Sequence, residues 1–170
     1  MQVILENLMT LLPFVVIYSF EGGVKWTLGK KPRALGPGFH WKIWFVHEIE
    51  VISVVDEYMD LPIQSVITKD GQLVCFSVII GYKITDPVKH FCEVSDFKEA
   101  TEGVAMQHLA LRVREQNYEE LTNDLKALET SLRGTLTTRV RAWGTEIFSV
   151  GFTNFAKVPL QFRMFGGFGE

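Results

Sequence analysis

Little in this sequence points to covalent or metal chemistry. Its 170 residues include two cysteines, Cys75 and Cys92, and four histidines, His40, His47, His90 and His108. The cysteines have neither metal-ligand spacing nor a multi-bridge pattern, so a reducing compartment is the default. The histidines show no i,i+4 pair, no HExxH and no cysteine partner, so no metal is expected. There is no G-x-S-x-G elbow, and Ser53, Ser65, Ser77, Ser95, Ser131 and Ser149 stand without an evident base, which leaves no catalytic constellation. Gly22-Gly23 is not followed by Gly-Lys-Ser/Thr, and Gly166-Gly167-Phe168-Gly169 does not open a helix, so no phosphate-binding loop or nucleotide cofactor is expected. Basic residues are not in excess: 17 Lys and Arg face 20 Asp and Glu, a net charge of −3, which gives no overall pull toward nucleic acid.

What is present is apolar. Hydrophobic residues make up 47% and charged ones 22%, a composition that reads as one globular domain. Mean hydropathy is +0.14, and the excess gathers at residues 1–20, MQVILENLMTLLPFVVIYSF, whose one charge is Glu6. That run is short for a spanning helix and Pro13 interrupts it. Three readings stand: a helix over Val3 to Leu12 followed by a strand over Phe14 to Phe20, a membrane-inserted segment, or a signal sequence. The last lacks a basic region and a small-residue cleavage site.

The stretch Thr68 to Pro87, TKDGQLVCFSVIIGYKITDP, organises the middle of the chain. Asp70-Gly71 signals a two-residue type I′ hairpin, since both residues tolerate positive φ. Leu73 to Ile84 is apolar on both parities, which predicts a central strand, and Asp86-Pro87 stops it. Before the hairpin, Glu21-Gly22-Gly23 breaks the N-terminal run and Val24 to Leu28 reads as a strand. Phe39, Trp41, Ile43 and Phe45 share one parity, which predicts an aromatic core fill, while Trp44 falls on the other face. Asp56 to Ile67 alternates as the first hairpin arm, with Pro62 marking an edge or bulge. Beyond Pro87 the period lengthens. Asp96 and Glu99 suggest a capping box, with Phe97, Ala100, Val104, His108 and Leu111 on one helix face. Leu121, Leu125, Leu128, Leu132, Leu136, Val140 and Trp143 line a second helix, Gly144 caps it, and Glu146 to Phe155 forms a last strand. The expected class is α+β, an antiparallel-rich mixed sheet packed with two to three helices.

GVKWTLGK (Gly23 to Lys30), LGPGFHWKI (Leu35 to Ile43), TKDGQLVCF (Thr68 to Phe76), GYKITDP (Gly81 to Pro87) and WGTEIFSVGF (Trp143 to Phe152) succeed one another in order. Together they resemble the stomatin/prohibitin/flotillin family, the SPFH or band 7 domain. The resemblance implies a membrane-associated scaffold, not itself an enzyme, that assembles laterally into rings or cages, with a hydrophobic anchor just before the domain. Some members bind membrane proteases. Two departures stand out. Ile43-Trp44-Phe45 replaces an Ile-Pro-Phe-like turn, and AKVPLQFRMFGGFGE after Phe155 carries no heptads, as in compact coiled-coil-free relatives in phage genomes.

These readings set the expectations. Residues 1–20 form a hydrophobic segment, 21–155 the SPFH domain and 156–170 a tail. Leu8, Leu11, Leu12, Phe14, Val15, Ile17, Trp26 and Trp44 contact membrane lipid, with Lys25, Lys30, Lys31, Arg33 and Lys42 facing headgroups on the cytoplasmic side. Phe162, Phe165 and Phe168 contact neighbouring copies in a homo-oligomer. The alternative is a soluble subunit of a larger assembly such as a virion, in which residues 1–20 and the tail bind protein.

Overall fold

The computed structural model describes residues 13–28 and 30–158. Five strands come first: β1 (Phe14–Ile17), β2 (Glu21–Thr27), β3 (Lys30–Leu35), β4 (Gly38–Trp41) and β5 (His47–Ser53). Then follow β6 (Glu57–Asp60), β7 (Gln64–Ile67) and β8 (Leu73–Ile84). Four helices come next, α1 (Pro87–Glu93), α2 (Phe97–Glu115), α3 (Tyr118–Asn123) and α4 (Leu125–Val140), and β9 (Thr145–Lys157) closes the described chain. The architecture is α+β with antiparallel sheets, as expected, and it has two short helices, α1 and α3, that the sequence pattern does not announce.

Strand β8 is central. Its one edge is shared by β6, through Met59↔Ile80, and β7, through Val66↔Val74. Its other edge is covered along its length by β9, from Val74↔Lys157 to Ile84↔Thr145. Val74, Phe76, Val78, Ile80, Tyr82 and Ile84 alternate onto one face and are buried in a single cluster with Ala105, Leu109 and Val113 of α2 and Leu128, Leu132, Leu136 and Val140 of α4. Each buried Val, Leu, Ile or Phe side chain contributes about 1.5–3 kcal/mol by leaving water.

Local chemistry explains where the elements start. Asp86 accepts from the Lys89 N–H at 3.2 Å, with Pro87 in the first helical turn where its missing N–H costs nothing. The Asp96 carboxylate accepts from the Glu99 N–H at 3.0 Å, and that of Asp124 from the Ala127 N–H at 3.2 Å. Asn117 and Glu120 form a capping box at α3. Gly144 takes φ +67° after a 3-10 turn at Arg141–Trp143, as a C-terminal cap requires.

The structure corrects several expectations. The hairpin loop has three residues, Lys69-Asp70-Gly71: Thr68 and Gln72 still pair, Gly71 N–H donates to the Thr68 carbonyl, and of the three only Gly71 has positive φ, at 78°. That is a type I turn with a left-handed glycine, not type I′. Residues 57–67 form two strands, broken at Leu61-Pro62-Ile63. Gly22 and Gly23 lie inside β2 because neighbours approach too closely for a side chain. A Cβ on Gly22 would stand 2.7 Å from Pro87 Cγ, and one on Gly23 would collide with Ile17. The buried face of α2 is Phe97, Thr101, Ala105, Leu109 and Val113, and Leu111 is exposed.

The boundary expected at residue 20 is crossed as well. β1 pairs with β4, Phe14 opposite Trp41 and Ile17 opposite Gly38, so residues 14–17 belong to the folded domain. β2 is flanked by β3 and β5, and one face of this small sheet meets α1 through Gly22 and Pro87.

Candidate apolar contact surface

The turn Lys42 to Val46 joins β4 to β5 and is tied down by backbone bonds. The Ile43 carbonyl accepts from the N–H groups of Val46 at 3.2 Å and His47 at 2.9 Å, the Leu28 N–H donates to the Val46 carbonyl at 3.1 Å, and the Lys42 N–H donates to the Pro13 carbonyl at 2.8 Å. His47 Nδ1 accepts from the Ile43 N–H at 3.3 Å. Held this way, Phe45 adopts φ 65°, unique among described non-glycine residues. A bulky side chain in the left-handed region costs about 1–3 kcal/mol and persists only where the surroundings impose it.

Phe45 is 96% exposed, Leu28 80% and Trp41 63%. Ile43, Trp44, Val46 and Phe39 are exposed too. Phe14 stacks on Phe39 with ring centroids 4.9 Å apart, and Phe39 meets Trp41 edge-on at 6.2 Å. A shallow groove between Trp26, Thr27 and Leu28 on one side and Phe45, Val46 and His47 on the other completes this end. The shared parity of Phe39 and Trp41 is real, but the face they share points outward, so they do not form the expected aromatic core fill. An exposed apolar patch of this kind marks a surface that meets lipid or protein.

Charge of both signs borders the patch, with Glu48 lining the groove and basic residues beside it. Lys25 Nζ donates to the Trp41 carbonyl at 3.4 Å, Lys25 and Arg33 stand opposite each other in β2 and β3, and Lys42 begins the turn. Burial, then the fields of Lys25 and Lys30, hold the His47 imidazole below its ordinary range, so it is neutral and free to accept from Ile43 at neutral pH.

Among the expected contact residues, Trp26 lines the groove, Trp44 sits in the turn, and Phe14 and Val15 are half-buried in β1. Ile17 is 2% exposed and packs over Gly23, which removes its side chain from the lipid-contacting set. Leu8, Leu11, Leu12, Phe162, Phe165 and Phe168 lie outside the described residues. No helix among the described residues is long and apolar enough to cross a membrane. Sequence reasoning missed Leu28 and the exposure of Phe45; the signal available was the departure at Ile43-Trp44-Phe45.

Two residues left without partners in the sequence come together. His108 Nε2 lies 3.1 Å from Ser131 Oγ, and its Nδ1 lies 3.2 Å from Thr135 Oγ1. Both ring nitrogens are taken by hydroxyls, so the cluster ties α2 to α4. His40 donates from Nε2 to the Gly36 carbonyl at 2.8 Å, closing the turn before β4.

The chain matches the profile described as SPFH domain / Band 7 family over residues 15–156. It is 26% identical over 148 residues to an uncharacterized protein of Archaeoglobus fulgidus, covering 87% of this chain and 59% of that one. It is 24% identical over 135 residues to a stomatin homolog of Pyrococcus horikoshii, covering 79% and 51%. Protein HflK of Vibrio cholerae is 26% identical over 153 residues, covering 88% and 38%. The chain thus spans about half the length of the curated relatives it matches. A profile match running from β1 to the end of β9, over a fold whose strands follow that order, makes this chain a member of the SPFH domain / Band 7 family.

Proposed function

We propose that this protein is a non-enzymatic, membrane-associated scaffold whose copies assemble side by side, with the Trp44-Phe45 turn as the part of the folded domain that enters the bilayer interface. The observation that carries this reading is Phe45: an aromatic side chain held in a left-handed conformation and 96% exposed, beside Leu28 and the exposed Trp41. Indole and phenyl groups partition to the interface, and each large apolar side chain that leaves water there contributes on the order of 1.5–3 kcal/mol. Lys25, Lys30, Lys31, Arg33 and Lys42 add about 1 kcal/mol each where they approach anionic headgroups. Pro13 meets Lys42 at the base of the turn, so residues 1–12 join the domain at this same end and reinforce the contact. Lateral assembly, and a membrane protease as partner, come from the family resemblance and from relatives named stomatin homologs and HflK.

Liposome flotation tests the membrane reading, with the full chain beside a version lacking residues 1–12 and a Trp44→Ser/Phe45→Ser double variant. The expected result is flotation of the full chain on anionic vesicles and a reduced floating fraction for each variant. If the full chain stays at the bottom with every lipid, the surface binds protein and the soluble-subunit reading replaces this one. Light scattering of the floated material, solubilised in mild detergent, tests assembly: a monomer there removes the lateral contact.

A further inference from the structure

Ile43 and His47 bond each other twice. The His47 N–H donates to the Ile43 carbonyl at 2.9 Å, and the Ile43 N–H donates to His47 Nδ1 at 3.3 Å. Trp44, Phe45 and Val46 are held between these clamped ends, and the middle residue of the loop is Phe45 at φ 65°. One of the bonds that impose the left-handed conformation therefore runs through a side chain that titrates.

The ring's tautomer follows from its partner. A backbone N–H can only donate, so Nδ1 carries a lone pair and the proton of the neutral ring sits on Nε2. A second proton has one place to go, Nδ1, where it faces the Ile43 N–H and breaks the bond. The other three histidines, among the described residues, lack this property. His40 donates from Nε2 to the Gly36 carbonyl, a bond that a charged ring also makes. His90 and His108 meet hydroxyls, which rotate to accept from a charged ring.

The charges around His47 decide where it titrates. Burial opposes a positive ring most, followed by Lys25 of β2 and Lys30 of β3, with Thr27 between the ring's own strand and Lys30 in the sheet. Lys42 opens the turn. Glu48 and Glu50 occupy positions that alternate onto the other face of β5. Protonation therefore falls below the ordinary imidazole value of 6.5, so the bond is made at neutral pH and lost in acid.

We propose that His47 is a pH-operated latch on the Trp44-Phe45 turn: unprotonated, it holds Phe45 in its exposed, left-handed conformation, and a proton on Nδ1 releases it. Release also relieves the backbone strain at Phe45, which favours the open turn once the acceptor is gone. The latch itself stands on the geometry of the turn. Its consequence, that acid weakens contact with a bilayer, rests on the membrane reading above.

The test uses the full-length protein, first in solution and then with vesicles. The Ile43 amide resonance and the Phe45 HN–Hα coupling, which reports φ, are followed by NMR beside the His47 ring resonances from about pH 7.5 to about pH 5. Both are expected to move together with the ring. His47→Asn puts an amide oxygen where Nδ1 stands and does not titrate, so its turn is expected to stay closed throughout. His47→Leu has no acceptor, and its turn is expected to be open throughout. Vesicles of phosphatidylcholine carry no net charge to attract a protonated ring. Flotation on them is expected to fall at least about twofold at the acid end for the unsubstituted chain, and not for His47→Asn. A Phe45 coupling that stays constant while the His47 ring titrates overturns the latch. So does measurable flotation that is the same at both ends, or that falls equally in His47→Asn. A turn that opens in acid on a chain that floats on no vesicle at either pH leaves the latch standing and removes the membrane reading.

Discussion

The Lys42 N–H donates to the Pro13 carbonyl at 2.8 Å, so the point where the apolar N-terminal stretch enters the fold and the base of the Trp44-Phe45 turn are one place. Two features far apart in sequence therefore act on the same surface. Substitutions can separate what that surface does from what keeps the domain folded.

Phe45 carries backbone strain without burying its ring. Replacing it with glycine removes about 1–2 kcal/mol of left-handed penalty and adds about 0.5–1 kcal/mol of chain entropy. Phe45→Gly is therefore expected to raise unfolding free energy by about 0–1.5 kcal/mol in urea titration while lowering vesicle flotation. A variant that loses stability shows that Phe45 packs against something in the folded chain.

Leu109 and Leu111 are two residues apart in α2, the first fully buried and the second exposed. Leu109→Ala should cost about 2–5 kcal/mol through the cavity it leaves, and Leu111→Ala less than about 0.5 kcal/mol. Chemical denaturation of the pair checks the helix register; a larger cost at Leu111 than at Leu109 would mean that the sequence-based face, with Leu111 inside, is correct.

Two glycines should respond in opposite directions to alanine. Gly144 has φ +67°, and a Cβ there would stand 2.9 Å from Lys89 Cβ and closer still to the Asp86 carbonyl. The conformational and steric penalties together predict a loss of about 2–5 kcal/mol for Gly144→Ala. Gly134 sits in the middle of α4, with open space where an alanine methyl would project, so Gly134→Ala should gain about 0.5–1 kcal/mol. Thermal melts of both variants decide this.

His90 and His108 are both held below the ordinary imidazole value of 6.5, His90 by burial against the opposing pull of Glu57 and His108 by burial aided by Arg112. The unfolded chain therefore binds more protons than the folded one below that value. The stability these neutral rings provide is full above the unfolded value of 6.5 and is lost as pH falls through it toward the folded values. Urea unfolding at about pH 7.5 and 5.5 should show lower stability at the acid end, and His108→Gln should flatten the slope. A slope unchanged in that variant assigns the pH dependence to other groups.

The sequence was most legible where one pattern admits one structure. Leu73 to Ile84 is apolar on both parities, and a strand with one wet face does not accommodate that. The leucines at 128, 132 and 136 leave one face for α4. Legibility failed where two structures share a pattern. α2 carries Ala100, Val104, Met106, Ala110 and Leu111 outside its buried stripe and Thr101 within it, so hydrophobicity alone does not choose the face. Parity grouped Phe39 with Trp41 correctly, but parity does not say whether a shared face meets core or solvent. Gly22-Gly23 read as a break because the reason for glycine, Pro87 and Ile17 pressing on the strand, lies elsewhere in the chain. At the apolar end, the Ile43-Trp44-Phe45 departure was visible, whereas the left-handed turn depends on Leu28, Pro13 and His47 converging on it.

The pairing of β8 with β9 also sets the order in which this chain can become safe from itself. The partners lie about sixty to eighty positions apart, and such distant contacts form late because closing the intervening chain costs entropy first. During synthesis at about 5–20 residues per second, the long apolar strand β8 waits several seconds with one edge bare until β9 emerges. Association of nascent chains through that edge is the characteristic misfolding hazard built into this topology, and shortening the wait, by faster translation of residues 85–157 or by a chaperone that covers β8, should raise the soluble yield.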